Sequence, residues 1–322
     1  MFDALASADF LVPDKDRTVA SMRTALGIAE PKPRWSMGGP GRGFRVTFCR
    51  ANPSLYESHT LIELIEPADL DPAGHLGQVV PNVEGLARLQ GDRPLKTHGM
   101  PVASSRVDDL VERVRSQGLR HWVQPPPPGY PFPRLWLGIA ADDLAGYRAD
   151  ADGGLMVEVV DTATLRLPAE PPEDAGHAAP GAMVRVASRG VLVGDLGWTL
   201  DRLAENLAWT PEGEVEQAED GSRRAVLGFR LPRSACVELL EPGGDREEAE
   251  FLRRWGPGIW HVRIAVRGLD AKADDLRARG TPFRAVPTGF ADPEVVLRVD
   301  AAAVPGCLFE FAEAPPEAGP GS

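Results

Sequence analysis

Cysteine is scarce in this chain, with only Cys49, Cys236 and Cys307 among 322 residues. They are far apart and odd in number, which excludes a disulfide framework and any paired-thiolate zinc spacing and fits a reducing compartment. Cys49 and Cys307 fall in strand-like runs and read as small buried thiols. Basic charge is also short: 35 Lys and Arg face 47 Asp and Glu, for a net charge of −12. No basic face is left to pair with phosphates, which argues against nucleic acid as a partner. A locally positive pocket for an anionic small molecule is still allowed. No apolar run approaches the ~18 residues that cross a bilayer. The N-terminus lacks a basic region followed by an apolar stretch, so the expectation is a cytoplasmic chain without a membrane partner.

What the chain does have is a repeat, and repeats outrank local pattern reading. Ser-His-Thr-Leu-Ile-Glu-Leu-Ile-Glu-Pro (Ser58 to Pro67) recurs as Ser-Ala-Cys-Val-Glu-Leu-Leu-Glu-Pro (Ser234 to Pro242). Gly-Leu-Met-Val-Glu-Val (Gly154 to Val159) recurs as Gly-Cys-Leu-Phe-Glu-Phe (Gly306 to Phe311). Each copy sets a glutamate, Glu63, Glu158, Glu238 or Glu310, inside an apolar strand. An ionised carboxylate there is costly unless a charged partner meets it, so the four positions point to a site.

Four segments open alike, with a short strand, a turn with Asp or Gly, and an amphipathic helix. The helices are expected near Arg17 to Leu26, Val107 to Gln117, Leu200 to Trp209 and Asp270 to Arg279; Gly27, Gly118 and Gly280 supply C-terminal stops. Several strand-like runs follow each helix, the last carrying the repeated Glu. The expectation is an α+β fold of four βαβββ modules in two pairs, each pair a curled mixed sheet forming a cup with helices outside. The first domain is expected at 1–166 and the second at 183–313. The Pro/Glu/Ala-rich stretch 167–182 reads as a linker and 314–322 as a disordered tail.

Glu-Leu-Leu-Glu-Pro, a short acidic helix (Asp245 to Arg254) and Gly256-Pro-Gly-Ile-Trp-His-Val-Arg-Ile-Ala-Val266 together resemble the vicinal oxygen chelate superfamily. That superfamily takes in glyoxalase I, methylmalonyl-CoA epimerase, extradiol dioxygenases and antibiotic-resistance proteins. The second half is most similar to the epimerase branch, and the first shows the same skeleton more loosely. The resemblance implies one divalent metal per cup (Fe, Mn, Co, Ni or Zn). It implies Glu238, His261 and Glu310 as ligands in the second half, and Glu63, His98 and Glu158 in the first. The fourth ligand position, usually His in the metalloenzymes, falls on Ser7 and Ser188, and serine is a poor ligand for a divalent cation.

Strand alternation puts His261, Arg263 and Ala265 on one face, and Glu238 and Glu310 also on the cup side. Arg263 either binds a substrate carboxylate or pairs with Glu238 or Glu310. If it takes the metal's place, the second cup holds none. His98 has two registers open: one points it into the cup, and the other packs Met100 and Val102 on the helix side and turns it away. His59, four residues before Glu63 on the same face, is an alternative source of imidazole. His75, His121 and His177 read as surface residues. Trp198, Trp209, Trp255 and Trp260 either stack on a flat ligand or fill the core. Phe132 and Trp136, after the proline run Pro125 to Pro128, are placed to cover a pocket mouth. Gly39 to Gly43 lacks the spacing and Lys of a phosphate loop and reads as a turn.

The leading expectation is a metal-assisted epimerase, isomerase or lyase. The metal stabilises an enolate of a small oxygenated substrate, Glu238 or Glu310 supplies the base, and Arg263, Ser188 and Trp260 bind substrate. The alternatives are a metal-free, ligand-sequestering protein and an Fe(II) dioxygenase. Whether the cups close within one chain or in a homodimer is open in the sequence.

Overall fold

The computed structural model describes residues 2–28, 36–38, 42–51, 60–70, 90–126, 133–140, 146–165 and 179–315. The expected linker and tail lie mostly outside these residues, as do His59, His75, His177, Phe132 and most of the Gly39 to Gly43 turn.

Four βαβββ modules are seen, in the expected order. The first comprises β1 (Ala4–Leu5) continuing into β2 (Ser7–Leu11), α1 (Lys15–Ser21) with a π turn over Met22–Leu26, β3 (Ser36–Gly38), β4 (Arg42–Cys49) and β5 (Leu61–Leu70). The second is β6 (Met100–Ser104), α2 (Val107–Ser116), β7 (His121–Gln124), β8 (Arg134–Leu137) and β9 (Val157–Asp161). The third is β10 (Met183–Leu192), α3 (Leu196–Leu207), β11 (Glu216–Gln217), β12 (Arg223–Leu227) and β13 (Cys236–Glu241). The acidic helix α4 (Glu247–Trp255) leads to the fourth: β14 (Gly258–Val266), α5 (Leu269–Ala278), β15 (Phe283–Pro287), β16 (Val295–Val299) and β17 (Phe309–Glu313).

In every module the first strand pairs in parallel with the last: β2 with β5, β6 with β9, β10 with β13 and β14 with β17. Parallel neighbours need a crossover, and each module's helix supplies it. The third and fourth modules join through antiparallel β10 and β14 into one eight-stranded sheet ordered β11-β12-β13-β10-β14-β17-β16-β15. The first half splits this arrangement between a five-stranded sheet, β1-β6-β9-β8-β7, and a four-stranded one, β2-β5-β4-β3. The first strand breaks at Ala6, so β1 pairs with β6 and β2 with β5.

Local chemistry sets the helix ends. Asp14 and Asp195 are the N-caps of α1 and α3, each accepting from the backbone N–H three residues on, at 2.9 Å. Asp195 therefore starts α3 at Leu196, four residues before the expected start. The backbone at Gly27, Gly118 and Gly280 is left-handed (φ 78°, 66° and 68°), as a glycine stop requires.

The helices pack on the sheet face opposite the repeated glutamates. Val107, Leu110, Val111 and Val114 of α2 share an apolar cluster with Met100, Val102, Val157 and Val159. That cluster runs through both halves. Phe10 meets Phe309 (5.7 Å between ring centroids) and Phe2 meets Trp209 (4.7 Å, edge to face). Lys272 Nζ donates to Leu26 O at 2.9 Å and Thr281 Oγ1 to Ala25 O at 2.9 Å, tying α5 to the end of the first helix. Cys49 and Cys307 are buried thiols, as expected. Burial pushes Cys49 up to about 12 and Cys307 higher still.

Candidate functional site

In the second half, strand alternation brings Glu238, His261, Arg263 and Glu310 to one concave surface. The ladders set Arg263 opposite Ser188 on one side and opposite Glu310 on the other. All five side chains are buried. The Arg263 guanidinium lies between the two carboxylates. Its Nη1 donates to Glu238 Oε1, while Nη2 and Nε donate to Glu310 Oε2 at 2.9 and 3.2 Å. Arg298 takes the other Glu310 oxygen, with Nε 2.8 Å from Oε1. Arg298 is a site residue that sequence reading passed over. It is a lone charge in the apolar run Val295–Val299, the same signal that marked the glutamates.

These residues form the floor of a small cleft, of about 40 Å³, that opens to solvent. Leu240, Pro242, Val286 and Phe290 give it apolar walls, and Arg224 stacks on Phe290 at 4.6 Å. Both ring nitrogens of His261 are buried without a hydrogen-bond partner, whereas Glu238, whose Oε2 is not taken by Arg263, has Ser188 as a hydrogen-bonding neighbour. Arg224 Nη1 comes within 3.9 Å of that Glu238 oxygen.

The charge states follow from burial and partners. Burial lowers His261 to about 4, with Arg263 and Arg298 adding to the effect against the pull of Glu310, so the imidazole is neutral at pH 7. Burial alone would raise Glu310, but His261, Arg263 and Arg298 outweigh it and bring it to about 2. Burial likewise opposes ionisation of Glu238, and Arg263 leads the groups that lower it below the usual carboxylate range.

The first half assembles differently. Glu63 accepts from Ser7 Oγ at 2.5 Å, and burial raises it to about 7. His98 Nδ1 lies 2.9 Å from Asp9 Oδ2, and its Nε2 lies 3.3 Å from Glu158 Oε2. Burial disfavours the imidazolium, but Asp9 leads the contacts that raise His98 well above its ordinary value. Arg134 Nη1 completes the row on Glu158 Oε1 at 2.8 Å. Asp9 and Arg134 escaped the sequence reading, although Asp9 alternates with Ser7 on β2 and so shares its face. The concave side of this cup is filled by Leu11, Phe44, Val46, Ile65, Trp136 and Ile139. Trp136 stands edge-on to His98 rather than over a pocket mouth.

The His98 register resolves in an unexpected way. Met100 and Val102 do pack on the helix side, yet His98 still points to Glu158, because the ladder begins at Met100 and alternation does not extend through Gly99. Pairing of Pro101 with Glu158 and of Arg263 with Glu310 makes Gly99 the counterpart of His261. His98 is therefore not the repeat of His261. Trp260 and Trp209 are core residues: Trp260 stacks edge-on against Phe251 at 5.0 Å and does not line the cleft. Trp255 is partly buried and Trp198 is exposed. His121 lies half-buried in β7 rather than in a loop, with Nδ1 2.7 Å from Leu119 O.

A divalent metal fits neither set as it stands. Among the described residues, no three His, Cys, Asp or Glu side chains converge as ligands. In the second cup, a guanidinium fills the space between the carboxylates. In the first, both His98 nitrogens are taken by carboxylates, whereas a ligand histidine must be neutral with one nitrogen free.

No protein-family profile matches the chain, and no curated protein matches it. Among solved structures, a triple mutant of 4-hydroxymandelate synthase from Streptomyces coelicolor superposes over nearly the whole length. Its TM-score is 0.62 and its identity 14%, covering 99% of this chain and 94% of that one. The chain has the vicinal oxygen chelate fold. Methylmalonyl-CoA epimerase from Mycobacterium tuberculosis matches over a single half, with 24% identity and a TM-score of 0.38, covering 45% of this chain and 97% of that one. Within the vicinal oxygen chelate fold, the repeated glutamates occupy the concave face of each cup. No helix among the described residues is long and apolar enough to cross a membrane.

Proposed function

We propose that the second cup binds a small oxygenated molecule through hydrogen bonds from its floor, without a divalent metal. The observation that carries this is the pair of buried, unpartnered ring nitrogens of His261, a residue that lines the cleft beside a saturated Arg263. Leaving such atoms unpaired in a folded protein is costly, and a bound ligand relieves the cost. A neutral imidazole offers one donor and one acceptor, and a carboxylate oxygen offers only an acceptor. The complementary ligand carries at least one hydroxyl or amide donor for Glu238 and a neighbouring oxygen for the His261 N–H. Leu240, Val286 and Phe290 would cover its apolar part.

A binding role is favoured over turnover because no group on this floor titrates near pH 7. His261 sits at about 4 and Glu310 at about 2, and Glu238 is lowered too. General acid–base catalysts work best near the operating pH. The metal-dependent epimerase, isomerase or lyase and the Fe(II) dioxygenase make the opposite prediction in one experiment. Calorimetric titration of the purified protein with Mn²⁺, Zn²⁺ and anaerobic Fe²⁺ is expected to show no stoichiometric site. A thermal-shift screen of small diols, hydroxy acids and hydroxyamides is expected to yield stabilisers that fail on His261→Phe. One tight equivalent of metal, with no stabiliser found, overturns the proposal.

A further inference from the structure

We infer that Arg224 makes the second cup selective for anions, and that the molecule held there carries a carboxylate which this guanidinium receives. This names the charged end of the ligand in the proposed function and rests on that reading. The chain as a whole has a net charge of −12. The cleft runs against that balance: counting arginine and glutamate alone among the described residues, its lining holds five of the first and four of the second, a net of +1. On the floor, Arg263 and Arg298 balance Glu238 and Glu310. At the rim, Arg223 pairs with Glu241 at 3.3 Å and Arg246 with Asp220. Arg224 is the cation whose donors are left over.

Local structure explains how. In β12, Arg224 stands opposite Leu240 of β13 and so shares the face of Glu238, while Ala225 and Leu227 turn into the apolar core. Its side chain is 4% exposed and lies over the Phe290 ring at 4.6 Å, which orients the guanidinium. Nη2 donates to both oxygens of Glu216, at 2.8 and 2.9 Å, across the β11–β12 ladder. One nitrogen thus serves a whole carboxylate, where a matched fork uses two. Nε is buried without a partner, and among the described residues Nη1 only approaches Glu238 Oε2, at 3.9 Å. A buried guanidinium with unspent donors is costly, and a ligand carboxylate relieves that cost. Glu216 is 39% exposed and does not line the cleft, so it anchors Arg224 without filling the space a ligand would take. An ion pair with so exposed a partner is screened and weak, and Glu216 competes poorly with a carboxylate inside the cleft.

Calorimetric titration at pH 7, where hydroxy acids are ionised, sets glycolate, lactate and phenyllactate against glycolamide, lactamide and phenyllactamide. Each pair keeps the hydroxyl and the carbonyl oxygen and differs by one charge. The wild type is expected to bind the acids at least ~10-fold more tightly than their amides, as a charge-assisted contact allows. Arg224→Gln is expected to remove that preference by weakening the acids alone. Glu216→Gln changes an exposed residue, keeps a hydrogen-bond acceptor for Nη2 and removes the competing charge. It is expected to widen the preference, and it reports on Arg224 should Arg224→Gln fail to fold. If the wild type binds amides as tightly as acids, if folded Arg224→Gln keeps the preference, or if Glu216→Gln fails to widen it, the anionic ligand is overturned and the proposed function stands. If none of the six compounds binds, or if His261→Phe binds them as well as the wild type does, both fall.

Discussion

At the scale of single residues, two buried groups in different cups hold opposite proton balances. Glu63 is raised by burial to about 7 from an ordinary 4.5, so the folded chain binds its proton more tightly than the unfolded chain does. Its contribution is fully present below pH 4.5 and is lost as pH rises towards 7. His261 is lowered by burial to about 4 from 6.5, so stability is lost as pH falls from 6.5 to 4. Each shift corresponds to on the order of 3 kcal/mol. The windows overlap between pH 4.5 and 6.5, where the two slopes oppose each other. Relative to the wild type, Glu63→Gln is therefore expected to tilt stability towards rising with pH across that range, and His261→Gln towards falling. Urea unfolding at three pH values checks this, and parallel curves for wild type and both variants would show that neither group titrates as described. The residues behind this balance were partly legible in sequence. A glutamate inside an apolar strand announces a partner, and Glu63, Glu158, Glu238 and Glu310 all have one. Asp9, Arg134 and Arg298 were hidden because their partners lie elsewhere in the sequence: Asp9 meets His98, Arg134 reaches Glu158 from the neighbouring strand, and Arg298 stands opposite Glu310 in the ladder.

At the scale of elements, alternation could be read where the ladder is continuous and failed where it starts. β13 and β17 run unbroken through Glu238 and Glu310, and β14 alternates from His261 to Val266 although its pairing with β10 shifts register just before His261, so these faces followed from the sequence. His98 precedes the first ladder residue of β6, and there the two-residue period has no hold. The filled first cup was illegible for another reason: Leu11, Val46 and Ile65 continue apolar runs that are equally apolar on the helix side, so neither face declares itself. Gly190 shows how tightly an element can be specified. Its added Cβ would stand 2.5, 2.7 and 2.8 Å from His261 Cε1, Nδ1 and Nε2, inside any real contact, so the ring would have to be displaced. Gly190→Ala is expected to destabilise by about 1–3 kcal/mol, as overpacking does, and to shift the His261 ring resonances. Gly197, in the first turn of α3, meets only Asp195 Oδ1 at 3.4 Å. Gly197→Ala is accordingly expected to stabilise by roughly 0.5–1 kcal/mol through helix propensity. Equal effects from the two alanines in chemical denaturation would remove the argument that His261 needs the glycine.

At the scale of the whole molecule, the repeat makes two alike halves, but the packing does not keep them apart. One apolar cluster holds Phe10, Leu64 and Val102 from the first half together with Trp209, Ile264 and Phe309 from the second. The first and fourth modules touch through Phe10 and Phe309, and through Lys272 and Thr281 on the carbonyls of Leu26 and Ala25. The second and third touch where Arg113 Nε donates to Asn206 O at 2.7 Å. Arg189, fully buried, donates to Asp9 O and lies over the Phe10 ring at 4.6 Å, so a second-half cation reaches the strand that carries the first cup's carboxylate. A core shared in this way couples the halves' unfolding, because opening either one exposes apolar surface on the other. Scanning calorimetry is expected to show one transition, with calorimetric and van't Hoff enthalpies equal. Phe10→Ala and Phe309→Ala are each expected to cost about 3–5 kcal/mol and to lower that single transition without splitting it. The double variant is expected to cost less than the sum, since the rings touch and each single change already leaves the other ring facing a void. Two resolved transitions, with Phe309→Ala moving only the second, would instead mean that each half stabilises itself and that the contact between them is incidental.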